Sequence, residues 1–168
     1  MKLSFRLLFL FFIFSFYSYG QDSTSQIKGK WKIVKSLLQK RSNIITNLTK
    51  TLSKSNVDKK QNDSLKGLAI DLYNYVGLLN LTDSVSISIV AAKNKKLLKS
   101  LAVTLIEIDS KQEIKSDEKF ANFQGELEGC ENSIKNAAGN YNDMCREYKR
   151  TDLLFLLNYP NNQTEVQF

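Results

Sequence analysis

Residues 120–155 read FANFQGELEGCENSIKNAAGNYNDMCREYKRTDLLF, and the fold follows from this stretch. Phe120, Leu127, Ile134, Tyr141, Tyr148 and Phe155 recur every seven residues. Phe123, Cys130, Ala137 and Met144 stand three residues after the first four of them. Apolar side chains at the a and d positions of a heptad share one side of an α-helix, so the spacing predicts a long helix with one apolar seam. Ser116 is placed to cap its start and Pro160 to stop it. Some 40 residues at ~1.5 Å rise each make a rod of about 60 Å. Gly125, Gly129 and Gly139 interrupt it. Each weakens a helix by about 1 kcal/mol relative to Ala, or marks the close approach of a second helix.

Three more stripes precede this one. Ile27, Trp31, Val34, Leu38, Arg41, Ile45, Leu48 and Leu52 alternate steps of four and three, which places all eight on one helical face. Ser23-Thr24-Ser25-Gln26 before them fits a capping box. The polar stretch 53–63 reads as a loop or a frayed end. Leu65, Leu68, Leu72, Val76 and Leu79 form a second stripe. Residues 84–108 carry two patterns. Ser84 to Val90 alternates with period two, as a half-buried strand does, and the β-branched residues near Ile108 would allow a hairpin. Yet residues 91–99 contain neither Gly nor Pro, and Ile87, Ala91, Leu98, Leu101, Leu105 and Ile108 have helical spacing, so the segment reads as helix. Four one-faced helices must bury their stripes on each other. The expected fold is all-α, an antiparallel up-and-down four-helix bundle with a long C-terminal helix over residues 21–168.

Residues 1–20 have the order of a secretory signal. Lys2 and Arg6 precede the apolar run Leu7–Tyr17, and Ser18-Tyr19-Gly20 supplies small residues before a cut. Cleavage is expected after Gly20, giving an exported protein, periplasmic or extracellular. The other reading is a membrane anchor formed by residues 3–20, which falls short of the ~20 consecutive apolar residues of a spanning helix. Removal of Lys2 and Arg6 leaves 22 basic and 17 acidic residues, a formal charge of +5.

The catalytic inventory is sparse. There is no histidine, which removes the commonest general base and metal ligand. Glu126, Glu128 and Glu131 lie on the fourth helix without a nucleophile or a metal set beside them, so they read as surface or ion-pair residues. Cys130 and Cys145 would stand about 22 Å apart on one helix. That is beyond the ~7 Å a disulfide spans, and they read as buried thiols. Four glycosylation sequons, at Asn47, Asn62, Asn80 and Asn162, are within chance for so Asn-rich a chain. No cofactor, no metal and no enzymatic activity is expected. The lysine runs Lys28-Lys30-Lys32-Lys35 and Lys93-Asn94-Lys95-Lys96 suit a solvated face or an anionic lipid surface. The aromatics lie mostly in the seam, leaving no stacking platform for nucleic acid. The expected action is binding to a protein partner of unknown identity, with homo-oligomer formation left open.

Leu127-Glu128-Gly129-Cys130-Glu131-Asn132-Ser133-Ile134, followed by Ala137 and Tyr141-Asn142, resembles the LemA family, whose signature runs approximately L-E-G-T-E-N-R-I and then A-R-x-x-Y-N. Lys40 to Leu48 is similar to the family's R-R-x-D-L-I-P-N-L, and Tyr159-Pro160 stands near its phenylalanine-proline pair. The chain departs from the family at Ala138 for arginine, at Asn43 and Thr46 for aspartate and proline, and at Tyr148-Lys149 for a second Y-N. The resemblance implies a long helical bundle on an N-terminal membrane-targeting segment, and no known reaction. It draws attention to Arg41, Asn47, Glu131, Tyr141 and Asn142 as structural or binding residues. Arg41 lies on an apolar stripe, where a charge is costly unless paired. With the first helix centred near Gln39 and the fourth near Ala137, it should meet Glu131 or another acidic residue of the third or fourth helix. Otherwise its head must reach solvent.

Overall fold

The computed structural model describes side chains over residues 23–79 and 83–157, and the backbone from Lys2 to Leu52 as one helix. The elements are α1 (Lys2–Leu52), α2 (Lys59–Leu78), α3 (Ser84–Asp109), the single turn α4 (Gln112–Lys115), α5 (Glu118–Glu147) and a 3-10 turn (Thr151–Leu153). Among the described residues there is no strand, and no helix long and apolar enough to cross a membrane. The expected cut after Gly20, the sequons at Asn80 and Asn162, and the stop at Pro160 lie outside the residues whose side chains are described.

Three aspartates set the helix starts. Asp58 accepts from the Gln61 amide, Asp83 from Ser86 and Asp117 from Lys119, each at 2.7 Å. Each satisfies an amide that the first helical turn leaves without a partner. The cap of the last long helix is therefore Asp117 rather than Ser116. Ser23–Gln26 starts nothing, because α1 runs through it. The polar stretch after Leu52 is loop only as far as Asp58.

All eight residues of the first stripe are buried. Residues 84–109 are wholly helical, and their buried set is Ile87, Val90, Asn94, Leu97, Leu98, Leu101, Thr104, Leu105 and Ile108. The strand-like alternation has a different source. Val85 and Ile89 project from the outer side of α3 and Ile87 from the inner, so two apolar faces of one helix interleave in sequence.

Helix α1 packs along both α2 and α5, and α3 packs along α2. Contacts descend along α2 as they rise along α1. Lys35 Nζ donates to the Gly77 carbonyl at 2.8 Å, Gln39 Nε2 to that of Tyr73 at 3.4 Å, and Asn62 Nδ2 to that of Thr49 at 3.0 Å. No Cα of α3 lies within 8 Å of one of α5; α4 joins them at one end and the 3-10 turn at the other.

The last long helix departs from expectation at its C-terminus. It has 30 residues and ends at Glu147. The longest helix is α1, with 51. Arg150 N–H donates to Cys145 O at 2.7 Å and Lys149 N–H to Arg146 O at 3.0 Å, the two bonds of a Schellman stop. Lys149 holds the left-handed position at φ 56°. Beyond it the chain folds back, and Phe155 reaches the core by this return rather than by a fifth heptad. Gly125, Gly129 and Gly139 do not mark helix contacts, since a Cβ on any of them would meet nothing within 4 Å.

Candidate functional site

Two polar clusters sit inside the bundle, and both use residues singled out in the sequence. In the first, Arg41 is 0 % exposed and donates through Nη1 to Glu131 Oε1 at 2.8 Å. The other terminal nitrogen, Nη2, donates to Asn94 Oδ1. The guanidinium thus links α1, α5 and α3 across the side where α3 and α5 stay apart. A planar fork suits this task, because it points two donors in fixed directions. Arg41 Nε and Asn94 Nδ2 are buried and have no hydrogen-bond partner among the described residues. Cys130 lies beside the pair, its thiol turned to the Leu37 carbonyl at 3.6 Å. Burial raises that thiol's pKa, with Arg41 opposing the shift.

Asn94 was not among the residues the sequence drew out, although it had a signal. It lies seven residues after Ile87 and seven before Leu101, both core residues. Only its place in a lysine run hid it on the seam.

The second cluster is about 15 Å further along α5, ten residues at ~1.5 Å each. Tyr141 is fully buried and donates its hydroxyl to the Leu153 carbonyl at 2.8 Å. Burial raises the phenol's pKa, so it stays protonated and acts as a donor. Asn142 grips Phe155 reciprocally. Its Nδ2 donates to the Phe155 carbonyl at 2.9 Å, and its Oδ1 accepts the Phe155 amide at 2.8 Å. Trp31 completes the grip, with ring centroids 5.2 Å from Tyr141 and 5.6 Å from Phe155. The thiol of Cys145 is also raised by burial. Among the described residues, no three His, Cys, Asp or Glu side chains are placed to hold a metal ion.

Asn47 belongs to neither cluster. It is exposed, and its Oδ1 accepts from Lys50 at 3.3 Å. Asn62, which heads a sequon, is buried on the Thr49 carbonyl. Of the first lysine run, Lys35 is engaged at the carbonyls ending α2, at 2.8 Å from Gly77 O and 3.3 Å from Leu79 O.

The sequence model of the LemA family matches residues 30–162. The chain belongs to the LemA family. No curated protein and no solved structure gives a significant match. The LemA motif residues now have physical roles. The glutamate of L-E-G-x-E-N is the buried partner of Arg41, and the first Y-N pair clamps the returning C-terminal segment. In the second Y-N pair, asparagine is replaced by Lys149 at the left-handed turn, a conformation that asparagine adopts more readily than lysine. Ala138, where the LemA motif carries arginine, is buried.

Proposed function

We propose that this LemA-family chain is a non-enzymatic helical-bundle protein of the cell envelope or exterior that acts by binding another protein. Its four long helices are read as an antiparallel up-and-down bundle, a reading supported by contacts that run in opposite senses between α1 and α2 and between α1 and α5. The envelope location rests on the signal-like order of residues 1–20. Burial holds the Tyr141, Cys130 and Cys145 side chains neutral, which supports a structural rather than a chemical role for them.

The observation that carries the binding role is the outer side of α3. Val85, Val103 and Ile106 are 64 %, 49 % and 61 % exposed and share one helical face with Ile89, opposite the core seam. Exposed Lys96 and Lys99 lie between the apolar ends of that face. The matching partner is an amphipathic helix with apolar ends and acidic residues at its centre. Co-purification from the native source should recover a protein with wild type that Val103→Asp/Ile106→Asp loses. Equal recovery by both rejects the reading.

The two lysine runs, of which Lys28, Lys32, Lys95 and Lys96 are exposed, favour a second reading, docking to an anionic lipid surface. Binding to anionic vesicles should weaken steeply with salt. Cosedimentation with no preference for anionic over neutral vesicles at low salt removes it.

A further inference from the structure

The turn that ends α5 is not enforced by its sequence. No Gly or Pro occurs between Asn140 and Tyr159, and Tyr148 and Phe155 continue the seven-residue spacing of Tyr141. Both features favour a helix that runs on. The Schellman stop instead places an exposed lysine in the left-handed region, where an L side chain is disfavoured. What holds the turn is the seat beyond it, made of the Tyr141 hydroxyl, the Asn142 amide and the Trp31 ring. Those groups meet a short segment, the end of the 3-10 turn and the two residues after it, through a carbonyl, a backbone amide–carbonyl pair and a phenyl ring.

We propose that residues 149–157 are an exchangeable arm, and that the groove of Trp31, Tyr141 and Asn142 receives this arm from a second copy of the chain. Rotation of Lys149 out of its left-handed conformation straightens the chain at the end of α5 and draws the arm, with its local fold over residues 151–155 kept, from its own groove. The emptied groove then fits Leu153–Phe155 of the second copy, which supplies the same carbonyl, the same backbone pair and the same ring. The seat is identical in both arrangements, so the hinge decides between them. This inference does not rest on the outer face of α3.

Sedimentation velocity of the full chain over a range of concentrations tests it. Lys149→Gly accepts the left-handed turn and should lower the dimerisation constant. Lys149→Ile rejects the turn and should raise it, the two differing by roughly tenfold or more. Asn142→Ala loses the groove but keeps the arm, while Phe155→Ala loses the arm but keeps the groove. Each should be monomeric alone, and an equimolar mixture should form a one-to-one dimer. Circular dichroism checks that each variant keeps its helices. If Asn142→Ala or Phe155→Ala unfolds, the two variants at exposed Lys149 still decide the matter. Equal dimerisation by Lys149→Gly and Lys149→Ile overturns the proposal. So does a monomeric mixture of two folded single variants.

Discussion

The Arg41 guanidinium and the Glu131 carboxylate meet at 2.8 Å, with side chains 0 % and 6 % exposed. Arg41→Ala removes the buried guanidinium that bonds both Glu131 and Asn94 and should lower stability by about 3–5 kcal/mol. The combined change Arg41→Met, Glu131→Leu and Asn94→Leu removes all three polar groups together and should lose much less. Urea unfolding of both variants is the check; a loss under about 1 kcal/mol for Arg41→Ala contradicts the assignment.

Asn142 is the second testable contact. Asn142→Ala leaves both backbone groups of Phe155 without their side-chain partner, at a cost of about 1–3 kcal/mol. Asn142→Asp keeps the acceptor but sets a carboxylate oxygen against the Phe155 carbonyl, and should cost at least as much. Trypsin should cut after Lys149 or Arg150 faster in the alanine variant, and unchanged cleavage would count against the clamp.

Glycines on the open face of α5 offer a gain. Nothing stands within 4 Å of a Cβ at Gly125, Gly129 or Gly139. Alanine at each should raise stability by about 1 kcal/mol in thermal or urea unfolding. Gly77→Ala should gain less, because its Cβ would press the Gln39 amide at 3.2 Å.

Glu107 makes stability depend on pH. The Lys111 ammonium at 2.8 Å and, next, the Asp58 amide at 2.9 Å hold its carboxyl below its usual value near 4.5. A pKa depressed by folding contributes stability fully above the unfolded value and loses it as pH falls through the folded one. Stability should therefore drop on acidification below about pH 4.5. Glu107→Gln should flatten that drop and speed amide exchange at Asp58. A melting profile with the wild-type slope in this variant would refute the link.

The sequence made α1 legible because its buried face is written in apolar residues, save for one arginine whose cost demanded a partner. Helix α3 was harder. Asn94 and Thr104 put polar side chains at core positions, marked only by their seven-residue spacing from Ile87 and Leu97, and the outer Val85 and Ile89 mask the seam by alternating with Ile87. The end of α5 departs from its heptad pattern for a further reason. Heptad spacing records what can face a seam, and Phe155 faces it, but through a reversal at Lys149 that no local turn residue announces. The Tyr141 and Asn142 roles depend on the backbone of residues 153–155, and a side-chain pattern holds no trace of main-chain partners.

The neighbours of α3 bear on the order of assembly. Helices α1, α2 and α5 share their long interfaces through α1, whereas the backbone of α3 comes close to α2 alone along its length, with α4 and the 3-10 turn at its ends, and meets α1 through side chains such as Asn94. The expected order is that α1, α2 and α5 condense as a nucleus and α3 docks onto it later. In that order, docking of α3 would bring Asn94 to the guanidinium that Glu131 also holds, a polar latch closing on the core. Substitutions along α3 should then act mainly on the unfolding rate, and those between α1 and α5 on the folding rate.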